Sequence, residues 1–192
     1  QEIIAARTQD PARGGVSGPS IIPHQYLHNR DLFRYRGLRR LYDAVFLGPS
    51  WCLPGRITEA GAFTPGAAEE GCAYEGSVQF LEACNMAWRR EAFEQVGGFD
   101  EAYGGIGDWS EPDLAFRVRR AGWRLWFSPR IRCEHRTSQS GAYHKRRRTG
   151  ARLRNYHLFA SRWVEPCWQH TLYKAFLWSY YQQKEIRACL SR

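Results

Sequence analysis

The chain has 192 residues, 43% of them hydrophobic and 15% aromatic, with a formal net charge of +9 and a mean hydropathy of -0.58. It is long enough to bury a real core as one domain, or as a domain with an appendage, and no apolar run approaches the ~18 residues of a membrane-spanning helix. The excess of positive charge implies an anionic partner, and nucleic acid, anionic lipid and phosphorylated substrates all fit.

The first residues, QEIIAARTQD, have no basic segment followed by an apolar core, so no secretory leader is expected; without an initiator Met the chain reads as a processed or partial product. Residues 1–30 are rich in Gly, Pro, Ser and Arg and predict a loop or loosely held arm, with SIIPH at 20–24 as a short buried strand stopped by Pro23. Residues 31–42 are basic and aromatic, and Leu32, Tyr35, Leu38 and Arg39 suggest a helix that Gly37 weakens. AVFLGPSW, from 44 to 51, is a buried-strand candidate ended by Gly-Pro, and residues 54–77 read as loop.

From 78 the signals sharpen. VQFLEACNMAW predicts an extended, largely buried segment, RREAFEQV a short helix, and Gly97 and Gly98 its left-handed stop. FDEAYGGIGDW is a turn-rich loop. Ser110 followed three residues later by Asp113 predicts a capping box opening a helix whose apolar stripe is Leu114, Val118 and Ala121, with Gly122 ending it. WRLWF alternates as a strand, Pro129 interrupts it, and IRCEH continues with Ile131, Cys133 and His135 on one face. Strand, helix, loop, helix, strand is the order of an α/β layer structure. The chain closes with a basic stretch, KRRR at 145–148 followed by Arg152 and Arg154, and an aromatic amphipathic helix containing Trp168, Tyr173, Trp178, Tyr180 and Tyr181.

The ordered set NMAWRREAFEQVGGFDEAYGGIGDWSEPDLAFRVRRAGWRLWFSPRIRCEH resembles the second half of the family 2 glycosyltransferases of the GT-A fold. In that family an Asn and an Arg-Arg helix lead to Gly-Gly-Phe-Asp-Glu, then to an acidic Glu-Asp-x-Asp-Leu loop, a helix, a strand ending in Pro, and a His. PGRITEAG upstream and RLRNYHLFASRW downstream are similar to flanking family segments, so the resemblance covers roughly residues 43–163. It implies an α/β fold of GT-A type, the Rossmann-like nucleotide-diphospho-sugar transferase architecture. Only its acceptor-side half is present, divided as an N-terminal arm at 1–42, the acceptor-side catalytic region at 43–140 and a basic, helical tail at 141–192.

The resemblance also implies roles. Glu111 takes the place of the family's general base, with Ser110 where the family has its first acid and Asp113 matching the last. Trp109 corresponds to a Trp that lines the acceptor sugar in similar galactosyltransferase loops. His135 falls at a metal-binding histidine, for Mn2+ or Mg2+. Asn85, Gly98, Phe99, Asp100 and Arg117 fall near the donor-sugar and acceptor pocket, although Arg117 read by itself pairs with a nearby acid of the fold. The implied enzyme is a hexosyltransferase-like one, taking a nucleotide-diphosphate sugar and a saccharide or lipid-linked acceptor. Inverting transfer needs one carboxylate to take the acceptor hydroxyl proton, and a divalent ion would neutralise the leaving diphosphate.

The sequence departs from the family at one decisive point: it contains no Asp-x-Asp, the pair that holds the donor's metal. The donor-side half is therefore expected on another chain, or absent. Two other classes stay open. One is a non-catalytic glycan-binding or partner subunit descended from such an enzyme. The other is a single-strand nucleic-acid binder, for which basic runs interleaved with aromatics are suited but no helix-turn-helix, RNP or zinc-finger signature appears. The six cysteines, at 52, 72, 84, 133, 167 and 189, include no CxxC pair and read as reduced thiols of a cytosolic protein. A zinc site from Cys133, His135, Cys167 and His170 matches no familiar spacing. KRRR suggests a lid or a loop facing an anionic membrane, and the aromatic tail either packs on the domain or lies at a membrane interface as a peripheral anchor.

Overall fold

The computed structural model describes residues 2–21, 36–50, 52–64, 72–136 and 149–190. They form a mixed α/β arrangement with a helical C-terminus. After a short helix, α1 (Glu2–Thr8), strand β1 (Arg13–Ser17) runs through the middle of a four-stranded sheet. It pairs parallel with β5 (Arg124–Phe127) and antiparallel with β4 (Met86–Trp88), while β3 (Gly76–Ser77) lies antiparallel on the far side of β5. The parallel pair resumes beyond an interruption as β2 (Ser20–Ile21) beside β6 (Cys133–Glu134).

The glycine-rich stretch predicted as an arm is thus, in part, the central strand. All five residues of β1 are buried. Its glycines serve approach rather than flexibility: a Cβ on Gly14 would stand 2.7 Å from Trp123 Cβ, and one on Gly15 2.7 Å from Leu81 Cδ1. Side chains from both faces of the sheet close onto bare backbone here, which removes the alternating apolar pattern that normally announces a strand. The SIIPH stretch contributes β2 through its first two residues, and the rest of it lies outside the described residues, as do 31–35 and KRRR.

AVFLGPSW is not a strand. Helix α2 (Arg36–Tyr42) runs on into a wider helical turn, Asp43–Leu47, and Gly48 at φ 58° ends it. Continuing the helix puts Phe46 one turn after Tyr42, the rings 5.2 Å apart, and both meet Tyr173 and Phe176 of the last helix. An aromatic partner outside the sheet therefore overrides the local strand preference of the Ala-Val-Phe-Leu run.

Helices α3 (Arg90–Gln95) and α4 (Ser110–Arg120) fall where the apolar spacing predicts them, with Gly97 and Gly98 in the left-handed region at φ 76° and 69°. Leu114 and Val118 are fully buried against Leu81, Leu125 and Phe127, but Ala121 is exposed at the helix C-cap rather than part of the stripe. The extended run at 78–88 is broken by a tight turn, Ala83–Asn85, before β4. Two long helices, α5 (Thr149–Trp163) and α6 (Trp168–Leu190), build a second, largely aromatic core with Phe46, Trp109, Tyr156, Phe159, Tyr173 and Tyr181. The tail's packing expectation holds for Tyr173, Leu177 and Tyr181. No described helix is long and apolar enough to cross a membrane.

The two parallel strands approach closely where the interruption occurs. A Cβ at Gly18 would overlap the Ile131 carbonyl and lie 2.6 Å from the Ser128 oxygen, both backbone atoms that have little room to give. Gly18→Ala is expected to destabilise the fold by on the order of 3 kcal/mol, read as a lowered urea midpoint at unchanged m-value. An unaltered midpoint would mean that β1 and β5 do not meet so closely.

Candidate active site

In α/β sheets, ligand-binding groups gather beyond the carboxyl ends of the parallel strands. Here the register delivers several polar side chains to that end. Ser17, the last residue of β1, faces Met86, the first of β4, so the turn preceding β4 brings Glu82, Cys84 and Asn85 to the end of the parallel pair. Helix α4 turns at residues 121–123 into β5 and runs back along it, so its N-terminus, with Glu111, returns to the same end. His135 follows β6 at this end, its backbone N–H donating to the Ile21 carbonyl at 2.8 Å.

Two acids at this end are close enough for the charge of one to act on the other. Burial, and then the charge of Glu111, push the Glu82 carboxyl up to about 7. Burial also raises Glu111, opposed by its own backbone N–H in the first turn of α4 and assisted by Asp108. Cys84 is pushed up to about 11, by burial first and then by Glu82, Cys133 and Glu111. Its thiol stays protonated at neutral pH and is a poor nucleophile.

Glu82 was not among the sequence candidates. Its signal was present: a lone acid inside the apolar run of residues 78–84, a position where an ionised side chain is costly.

Asp113 does not cap α4. The N-cap is Trp109, no side chain caps the helix, and Ser110 already lies inside it. The Asp113 carboxylate, fully buried, instead accepts hydrogen bonds from Arg117 Nε at 2.8 Å, Arg162 at 3.1 Å and Trp163 Nε1 at 2.8 Å. Arg162 also bonds Asp100 at 2.8 Å, and Arg117 donates to the Val96 and Gly98 carbonyls at 2.6 and 2.8 Å. Arg117 therefore pairs with a fold acid, as its chemistry alone suggested. Gly98 and Asp100 belong to the same frame, and Phe99 is exposed beside them with its ring 5.8 Å from that of Phe93.

Trp109 adopts φ 76°, alone among described non-glycine residues in the left-handed region, at a cost of about 1–2 kcal/mol. Its ring stacks on Phe63 at 4.0 Å and touches Tyr156 and Phe159 at 4.9 and 5.3 Å, leaving it 6% exposed. A ring so enclosed has no face for a sugar, and it serves to pin the loop that presents Glu111. Asn85 is likewise engaged, its Nδ2 donating to the Pro19 and Ile131 carbonyls at 3.2 and 2.6 Å across the two strand interruptions.

Among the described residues no three His, Cys, Asp or Glu side chains converge to hold a metal ion. His135 follows β6, and Cys133 beside it lies against the Cys84 carbonyl and the Ser20 hydroxyl, each at 3.6 Å. No protein-family model matches the chain, and no curated protein matches it significantly.

Two outcomes follow. Asp113→Asn removes the charge that three donors surround, and is expected to cost about 3–5 kcal/mol, the range for breaking a buried ion pair, measured by chemical denaturation. Because Glu82 binds its proton more tightly folded than unfolded, its contribution favours the fold at low pH. That contribution is lost as pH rises from about 4.5 towards 7. Glu82→Gln should therefore be more stable than the parent at pH 8 and no more stable at pH 4, and a pH-independent difference would refute this assignment.

Proposed function

We propose that this chain works as the acceptor-side part of a GT-A-type glycosyltransferase, moving a hexose from a nucleotide-activated donor to a saccharide or lipid-linked acceptor with inversion. The observation that carries the reading is the placement of Glu111, in the first turn of α4, and Glu82 at the carboxyl ends of the parallel strands, where the charge of Glu111 acts on Glu82. Two acids whose proton affinities are raised by their surroundings suit acid–base work.

In this reading the ionised Glu111 takes the proton of an acceptor hydroxyl as that oxygen attacks the anomeric carbon. The new glycosidic bond forms as the bond to the donor phosphate breaks, and a nucleoside diphosphate leaves. Glu82, pushed up to about 7 and so partly protonated at neutral pH, donates a hydrogen bond to a sugar hydroxyl in its protonated form and so orients the acceptor. Placement of Glu111 on the first turn of α4 favours its ionised form through the helix dipole, against the opposing effect of burial. The Arg117–Asp113 frame fixes that helix rather than touching sugar.

The acids that hold a donor's metal are assigned to a part outside this sequence, which has no Asp-x-Asp. A chain carrying the donor-side half is accordingly a proposed partner, and no step above passes through a metal. Its place of work is proposed to be the cytoplasm, at or near a membrane that holds lipid-linked acceptors.

The test is hexose transfer from UDP-, GDP- and dTDP-sugars to free and lipid-linked saccharides. Glu111→Gln should lower turnover by about 10^2- to 10^4-fold, the usual worth of a general base, with an unchanged far-ultraviolet spectrum. Transfer that survives this substitution would overturn the assignment. Saccharide binding without transfer, equal in the parent and Glu111→Gln, would favour the glycan-binding alternative.

A further inference from the structure

On the far side of α4 from the carboxylates lies an open cleft of about 750 Å³, bounded by the end of α4, the end of α5 and the first turns of α6. Arg119, Arg120, His157, His170 and Lys174 line it, with Glu165 the single acid. Arg162 reaches its wall as well, but is already held by Asp100 and Asp113.

Three features mark this cleft as unfinished. Arg119, Arg120 and Lys174 line the cleft without an ion pair to any described acid; Arg119 lies over the Phe116 ring at 5.6 Å and Arg120 over the Trp163 ring at 5.4 Å. The crowding registers on His170: burial, then Lys174 and His157, hold it below the ordinary histidine value. His170, only 6% exposed, has Nε2 buried without a hydrogen-bond partner among the described residues. An unpartnered buried polar atom is uncommon in a folded chain, and this one belongs to a residue that lines the cleft. The first turn of the 23-residue helix α6 opens on the same space, adding the positive end of its dipole.

We propose that this cleft binds a phosphoryl oxyanion, with Arg119, Arg120 and Lys174 meeting the phosphate oxygens and His170 in the wall. Two arginines and a lysine around an open groove match the several oxygens of a diphosphate better than a single carboxylate. The site is separate from Glu111 and does not rest on the glycosyltransferase reading.

The phosphate has two sources, a soluble phosphorylated compound or a lipid headgroup. Trp178, 60% exposed one turn beyond Lys174, would lie at the acyl boundary in the second case.

The experiment titrates the chain calorimetrically with inorganic pyrophosphate and, separately, sediments it with phosphatidylcholine vesicles with and without 20% phosphatidate as the added anionic lipid. Pyrophosphate binding that weakens at least 10-fold in Arg119→Gln/Lys174→Gln, but not in the exposed control Arg90→Gln, supports the site with a soluble ligand. Phosphatidate-dependent sedimentation lost in the same double variant, without pyrophosphate binding, supports it with a lipid source. Neither response in a chain whose thermal midpoint is intact, or responses equal in the double variant and the control, overturns the proposal. Glu111→Gln should leave both readouts unchanged, so failure here and failure of the catalytic reading are distinguishable.

Discussion

One buried carboxylate holds the upper layer of this molecule together. Asp113 stands at zero exposure in the first turn of α4, and its two oxygens collect donors from three directions: Arg117 on the same helix, and Arg162 and Trp163 from the end of α5. Through Arg117 the frame extends to the carbonyls that end α3, and through Arg162 to Asp100 in the following turn. A carboxylate so deep is tolerated because three charged or strongly polar donors meet its two oxygens. The consequence is geometric. α4, the glycine turn and α5 cannot shift separately, and whatever the N-terminus of α4 presents is presented at a fixed place.

What it presents is Glu111, and the local chain is shaped to that end. Trp109 stores strain in its left-handed backbone, yet its ring is clamped between Phe63 and the aromatic face of α5. Asn155 adds a second clamp, its amide bonding both the N–H and the carbonyl of Gly104 as a neighbouring strand would. Strain held by packing beside a titratable group is the arrangement of pre-organised sites. Glu82 arrives at the same end of the sheet by an independent route, through the register of β4 on β1.

The parts legible in the sequence are those in which local and tertiary demands agree. Helices α3 and α4, the left-handed glycines and the strand after Gly122 obey periodicity because one face of each is buried on a single layer. β1 escaped because its burial is achieved by having no side chains at Gly14 and Gly15, a signal that composition reads as loop. The Ala-Val-Phe-Leu turn escaped because its aromatic partners lie more than a hundred residues downstream. Spacing alone made Asp113 a cap, since a capping acid and a hub acid occupy the same position of a helix. Only the arrival of Arg162 and Trp163, contributed by a different helix, separates them. Glu82 required the reverse inference, from a polar residue in an apolar run to a perturbed proton affinity.

A basic chain keeps the acids of α4 apart from Arg119 and Arg120 by distributing charge along one helix. α4 has 11 residues, which at 1.5 Å per residue span about 16 Å. Its acids, Glu111 and Asp113, occupy the end where the dipole is positive, and its arginines, 117, 119 and 120, the end where it is negative. Each group is placed where the helix stabilises its charged form. Arg117 faces inward and is neutralised by Asp113, whereas Arg119 and Arg120 face the open cleft. The acids at one end and the cleft arginines at the other are thus held apart by the length of a single helix, which the Arg117–Asp113 pair locks near its start.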